Sequence, residues 1–414
     1  MLTSEVFKKH RKSVLDKMID NSILISVSRK GEEHEVNSKY DVNRNYFYLS
    51  GVIEYENIVL LTKNNDKTDE VMFINPYDEF KAKWTGAPLS KEEVYKRSGI
   101  EHIQYLSSFE GMLNRLLLAY KNIYLDLPQT NLDSPLTEDE IFANKIKTKY
   151  PWINIINSRD IIALARMKKE PEEIEEMKSA IEMTNKGLEN MLKHMGPQME
   201  YQLESYFDQA IKFNGATGYA FNTIAASGEN ACCLHYCENS SMAKDGDLIL
   251  FDLGASLNMY CADISRTYPI NGKFSPRQKE LYDIVYGAQQ EVFKACKPGV
   301  STIELNQVVI KYYQKELKRI GLIKEDKEVL KYYYHGVSHH IGLNCHDLAK
   351  YGVGLEEGNI ISNEPGLYIK EEGIGIRIED DMLVTKDGAV WLSPQILKTT
   401  EEIEDFICKN KIQL

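Results

Sequence analysis

Along the first part of the chain the apolar residues follow two different periods. In MLTSEVFKKHRKSVLDKM, Phe7, Val14, Leu15 and Met18 fall on one face of a helical repeat, which predicts an amphipathic helix. Short β-rich runs follow at 58–62, 71–74 and 123–127. They are interleaved with LSKEEVYKRSG and SSFEGMLNRLLLAYKN, the second carrying apolar residues at helical spacing. Strands alternating with helices predict an α/β domain over residues 1–160, ending near Arg159.

Beyond it, MKKEPEEIEEMKSAIEMTNKGLENMLKHMGP has Pro171 near its start, acids in its first turn, and Ile174, Met177, Ile181 and Leu188 along one face. Lys193 and His194 precede a Gly-Pro stop, where they complement the negative end of the helix dipole. Two more helices are signalled. SPRQKELYDIVYGAQQEVFKACKPG runs from Ser275-Pro276 to Pro298-Gly299, and STIELNQVVIKYYQKELKRIG opens with a capping box of Ser301 and Glu304. β-rich segments at 219–236, 248–270 and 359–393 separate these helices, with hairpin-like pairs among them. The prediction is a second domain, α+β in class, over residues 161–414. No internal repeat, low-complexity tract or Pro/Ser-rich linker interrupts it.

Composition narrows the partners. A chain of 414 residues is long for one domain and natural for two. Its net charge of −12 argues against nucleic acid and against anionic membrane surfaces. No apolar run reaches the roughly 18 residues that span a bilayer, and the first residues lack the apolar core of a secretory signal. Seven cysteines, an odd number, favour reduced thiols and hence the cytoplasm. Cys232, Cys233 and Cys237 have no second Cys/His pair at zinc-finger spacing and read as buried small hydrophobes.

One stretch is chemically costly. LILFDLGASLNMYCAD, residues 248–263, sets Asp252 in an apolar run and, after ten intervening residues, a second aspartate, Asp263. A carboxylate in such a run loses its water and must protonate or find a partner, yet no Lys or Arg lies between Lys244 and Arg266. A hairpin turning at Leu257-Asn258 would put the two aspartates directly opposite each other on one face. A bridging cation would turn their repulsion into attraction.

The last third supplies further ligands. YYYHGVSHHIGLNCHD holds His335, His339, His340 and His346, four of the nine histidines. GNIISNEPGLYI sets Glu364 in another apolar run, and GIGIRIEDDMLVT sets Glu379 in a β-branched strand two residues after Arg377. Taken singly, each has an ordinary structural explanation in a backbone-held acid, a turn or a solvated strand end. Together, separate β-rich segments each bury an acid. Four carboxylates and one imidazole form a hard, oxygen-rich set that suits Mn2+, Fe2+ or Co2+ better than a structural zinc. Two ions sharing bridging carboxylates would use the whole set.

The order Asp252, Asp263, His339, Glu364, Glu379 resembles the metal site of the pita-bread metallopeptidases, which include methionine aminopeptidase, prolidase and aminopeptidase P. The flanking words NACCLHYCEN, DLGASLNMYCADISRTYP, HGVSHHIGLNCHD, NEPGLYI and GIGIRIEDD are most similar to those of aminopeptidase P, the Xaa-Pro aminopeptidases. Residues 1 to about 135 resemble that family's N-terminal domain. The resemblance implies a C-terminal pita-bread catalytic domain preceded by an α/β domain that contributes to specificity and oligomer contacts. It also implies two divalent ions, Mn2+ foremost, with Co2+, Fe2+ or Zn2+ as alternatives.

In that resemblance Asp252 chelates one ion, Asp263 and Glu379 bridge both, and His339 with Glu364 hold the other. His340 falls where the family often has an aromatic. His235 and His346 match histidines that contact substrate and the developing oxyanion, His335 one that lines the proline pocket, and Arg377 a residue behind the bridging ligands. The implied reaction is attack of a metal-bridging hydroxide on an N-terminal Xaa-Pro bond, with Glu364 carrying the proton to the leaving proline nitrogen. Its substrates are peptides with proline second. Two alternatives stand beside it: a prolidase, restricted to dipeptides, and a non-catalytic module that binds peptides or proteins. Asp41 and Asn45 stand where the family often has Arg and Asp, which unsettles any role in length selectivity or subunit contact. Trp84 matches a tryptophan that reaches a neighbouring subunit, so a homodimer or homotetramer is expected.

Overall fold

The strand Ser22–Val27, small and aliphatic throughout, takes an inner place in a six-stranded mixed sheet. It pairs antiparallel with Ile58–Asn64 and parallel with Asn122–Leu125. Lys67–Ile74 and His102–Tyr105 continue the sheet on one side, Asn154–Asn157 on the other. The computed structural model describes residues 2–29, 42–127, 131–350 and 352–412, so Asp41 lies outside the described residues. The chain divides into two units, Met1–Arg166 with Leu348–Lys350, and Met167–Asp347 with Tyr351–Leu414.

In the first unit, alternation sends Ile23, Ile25, Leu60, Phe73 and Ile123 to one side of the sheet. There they meet Leu113 and Leu117 of the helix Phe109–Ala119 and Ala143 and Ile146 of the helix Glu138–Lys149. Burial of each such aliphatic side chain stabilises the unit by about 1.5–3 kcal/mol. The predicted first helix forms over Ser4–Lys17, and Phe7, Val14, Leu15 and Met18 are all buried. Asn45 is an internal tie here: it donates to Asp126 Oδ2 at 2.8 Å and accepts from Arg166 Nη1 at 2.6 Å.

The second unit contains the predicted helices Pro171–Lys193, Pro276–Ala295 and Thr302–Arg319, the last with the expected Ser301/Glu304 box. A helix that the sequence reading passed over, Glu200–Phe213, lies against the first. The two approach so closely that a Cβ on Gly187 would sit 2.3 Å from the Phe207 ring. Three β groups carry the chemistry. Leu248–Leu253 pairs antiparallel with Ile264–Pro269 on one side and Ile224–Ser227 on the other. Ile360–Asn363, Asp380–Thr385 and Gly388–Trp391 form a second sheet, and Gly366–Ile369 with Ile374–Arg377 form a hairpin.

Three sequence expectations are corrected. The segment 219–236 is strand only at its beginning and over Ile224–Ser227, after which a 3-10 turn, Gly228–Cys232, leads it out of the sheet. Cys233 and Cys237 are exposed and so are not core hydrophobes, while Cys232 is half-buried and packs against the cluster of Ile224, Ala226, Ala231, Leu250 and Tyr368. The hairpin register is also shifted: Asp252 opposes Ser265, not Asp263. The turn is at Asn258 and Met259, whose φ values of 50° and 79° provide the left-handed pair that a tight two-residue hairpin requires. All seven cysteines are free. Among the described residues, no helix is long and apolar enough to cross a membrane.

Candidate metal centre

Five side chains from five places along the second unit converge. Asp252 comes from the strand Leu248–Leu253, and Asp263 directly precedes the strand Ile264–Pro269. His339 comes from the loop before Ile360–Asn363, Glu364 from the short link after that strand, and Glu379 from between Ile374–Arg377 and Asp380–Thr385. His339 Nε2 lies 3.4 Å from Asp263 Oδ2, 3.4 Å from Glu364 Oε1 and 3.9 Å from Glu379 Oε1. Its Nδ1–H faces the carbonyl of His340 at 3.1 Å, which turns Nε2 toward the acids. An imidazole anchored through one nitrogen and offering the other is how metal-ligating histidines are held.

The electrostatics are those of a group of acids short of positive charge. Burial raises the Glu379 carboxyl well above its usual range, and repulsion from Asp263, Glu364 and Asp252 adds to this. Burial also raises Asp252, although Arg377 opposes the shift. Glu364 is pushed up to about 7, again chiefly by burial. For His339 burial disfavours the charged ring, but the Asp263 hydrogen bond and the Glu364 charge outweigh it and hold the imidazole at about 9. Glu379 Oε1 and Asp381 Oδ1 are buried without a hydrogen-bond partner. A buried acceptor left unmade is costly, and a divalent cation satisfies several such oxygens at once. These donors therefore fit hard divalent ions. The ligand atoms of Asp263, His339 and Glu379 lie within 4.8 Å of one another.

A supporting shell fixes the acids. Arg377 donates from Nη2 to Asp252 Oδ2 at 2.6 Å, from Nε to Ser265 Oγ at 2.8 Å and from Nη1 to the Tyr368 hydroxyl at 3.1 Å. Ser265 Oγ in turn donates to Glu379 Oε2 at 2.8 Å. Ser265 and Tyr368 were not singled out from sequence, since their partners lie on other strands. Lys169 and Asp347 form a buried pair at 3.0 Å that closes the loop carrying His339 and His346. Glu200 ties the loop that carries His235: its carboxylate accepts from the Ser227 and Ser241 amides at 2.7 and 2.9 Å and from the Tyr236 hydroxyl at 2.8 Å.

The remaining predicted residues surround this set. The His346 ring stands edge-on to His339, with centroids 4.2 Å apart, and burial followed by the His339 charge lowers its pKa. His335 has its Nε2 2.8 Å from the Tyr368 hydroxyl, and burial lowers it to about 4, so its ring is neutral. His235 is exposed, on the loop that Glu200 ties. Cys345 is an unanticipated neighbour, its Sγ–H donating to Asp263 Oδ2 at 2.9 Å.

Comparisons with known proteins match nearly the whole length of the chain. The profile of metallopeptidase family M24 matches residues 175–386, and that of the aminopeptidase P N-terminal domain matches residues 7–124. The chain is 31% identical to the Xaa-Pro aminopeptidase of Haemophilus influenzae, covering 98% of both sequences. Among solved structures, a Bacillus anthracis protein described as a candidate aminopeptidase P is 42% identical, with a TM-score of 0.96 and full coverage of both chains. Aminopeptidase P of E. coli, solved with the inhibitor Pro-Leu, is 28% identical, with a TM-score of 0.89 and 99% coverage of both chains.

Proposed function

The chain belongs to metallopeptidase family M24, in its aminopeptidase P branch, and from that premise we propose that it removes the first residue from peptides whose second residue is proline, using two divalent ions. The observation that carries the two-ion reading is the surplus of buried acid around His339, with Glu379 Oε1 unpartnered. Asp252 would hold one ion, His339 and Glu364 the other, with Asp263 and Glu379 shared. Mn2+ suits this oxygen-rich set foremost. When bound, the ions supply the Lewis acidity that activates water as a nucleophile near neutral pH and polarises the scissile carbonyl.

The chain's own residues do the rest. Arg377 and Ser265 keep Asp252 and Glu379 oriented through the contacts described above. In this reading His346 and His235 would donate hydrogen bonds to the oxygen that gains charge as the carbonyl is attacked. Glu364 takes the proton from the attacking water and passes it to the proline nitrogen as the C–N bond breaks. That nitrogen carries no hydrogen in the substrate, so recognition falls to the ring. Neutral His335, held by Tyr368, would form one wall for it.

The remaining roles are part of the same proposal. The N-terminal domain contributes to specificity and to subunit contacts. Trp84, 76% exposed beside the exposed Phe80, supports assembly into a homodimer or homotetramer. Seven free thiols support a cytoplasmic setting. The test is hydrolysis by the Mn2+-reconstituted protein of Arg-Pro-Pro and Gly-Pro side by side. Release of arginine from the tripeptide is expected. Cleavage of Gly-Pro alone would make the protein a dipeptidase, and cleavage of neither would remove the catalytic reading.

A further inference from the structure

Cys345 has no part in the reaction assigned above, yet it lies at the centre's edge. Its sulfur is 2.9 Å from Asp263 Oδ2, the same oxygen that lies 3.4 Å from His339 Nε2. Donor atoms of His339, Cys345 and His346 lie within 4.8 Å of one another. The centre thus has two overlapping donor sets of opposite character. Asp263, His339 and Glu379 are hard and mostly oxygen, whereas His339, Cys345 and His346, with Asp263 Oδ2 in reach, offer two nitrogens, one sulfur and one oxygen. The second combination has the ligand types and number of a closed tetrahedral zinc site. Sulfur and imidazole select thiophilic ions over Mn2+.

We propose that Cys345, His339 and His346 form a second metal-binding mode for a thiophilic ion such as Zn2+, one that excludes the hard pair by drawing His339 and Asp263 away from it. The inference rests on the proposed hard-ion centre, because it shares those two residues. In forming this mode the Cys345 S–H bond is exchanged for a sulfur–metal bond, and the proton leaves to solvent. Turnover with Mn2+ would then be lost as Zn2+ is added, through exchange of ions at a shared set of ligands.

Co2+ is the probe that separates the two modes, because thiolate ligation adds an intense near-ultraviolet charge-transfer band to the weaker visible d–d bands that oxygen and nitrogen ligands also give. Co2+ is titrated into the metal-free wild-type chain, Cys345→Val and Cys345→Ser. The wild type is expected to show both band types, and each variant to keep the visible bands and lose the near-ultraviolet one. The Zn2+ concentration that halves each variant's own Mn2+-supported turnover should rise about tenfold or more. A near-ultraviolet band equal in all three proteins, or absent from the wild type, overturns the proposal. Loss of the visible bands as well would bring down the carboxylate centre itself, so the two failures are distinguishable.

Discussion

Glu379 and Asp380 are neighbours in the chain, both buried, and they have opposite electrostatic surroundings. Asp380 accepts from Arg266 Nη2 at 2.8 Å, Lys398 Nζ at 3.0 Å and Gln289 Nε2 at 3.0 Å, with the Ser393 hydroxyl also on it. Burial works against its charge, but Arg266 and Lys398 outweigh it and hold the carboxyl below its usual range. Glu379 receives one hydroxyl, from Ser265, keeps one oxygen unpartnered and has three other acids nearby, which together with burial raise it. Desolvation acts on both residues, so burial alone does not explain the contrast. What differs is the supply of positive charge. At Asp380 the chain's own cations build a structural brace, while at Glu379 the charge of Arg377 does not offset burial and the neighbouring acids, the shortfall that the proposed ions would fill.

The sharpest way to break the contrast is to remove charge from each side in turn. Asp263→Asn should reduce turnover by more than the about 10–100-fold typical of losing a residue behind a ligand. Its thermal midpoint without metal should hold or rise, because the remaining acids then repel less. Turnover within a few-fold of wild type would refute the bridging role. Asp380→Ala should do the opposite, costing about 3–5 kcal/mol of stability by stranding Arg266. A urea titration should show that loss whether or not Mn2+ is present, and full recovery with Mn2+ would place Asp380 in the wrong group.

Arg377→Lys sharpens the comparison more gently. It keeps the charge but loses the fork that spans Asp252, Ser265 and Tyr368, so Mn2+ affinity should fall by about 10–100-fold with little change in fold. Unchanged affinity by calorimetry would reduce Arg377 to a bystander.

The smallest effect is in pH. Glu364 is raised from 4.5 to about 7, and as a carboxyl it adds a folding penalty absent below 4.5 and complete above about 7. His339 is raised from 6.5 to about 9, and its stabilisation is full below 6.5 and lost as pH rises through 9. Both make the metal-free chain less stable as pH rises, while bound cations reward the same deprotonation. The gap between thermal midpoints with and without Mn2+ should therefore widen from mildly acidic to mildly alkaline pH. A gap that narrows contradicts the assignment.

What could be read beforehand follows the range of the forces involved. Helix caps and apolar repeats are local, so the Ser301/Glu304 box and the buried face of the first helix were legible. The helix Glu200–Phe213 carried the same kind of signal in Leu203, Phe207, Ala210 and Ile211, and it went unread. The acids stood out because a carboxylate in an apolar run needs a partner wherever the strands lie. The hairpin register did not, because it depends on left-handed backbone at Asn258 and Met259, and methionine gives no sign of that. Arg266 with Asp380, and Arg377 with Ser265 and Tyr368, are joined only by tertiary pairing, so the residue types alone could not separate the braced acid from the proposed ligand.

The central claim is that the buried acids around His339 are there to hold divalent ions. Metal analysis after Mn2+ loading and desalting tests it most directly, run on the wild type beside Asp263→Asn and Asp380→Asn. The account predicts two ions per wild-type chain, fewer in the Asp263 variant and two in any Asp380 variant that folds. A wild-type chain that retains no Mn2+, or an Asp263 variant that retains as much, would contradict it.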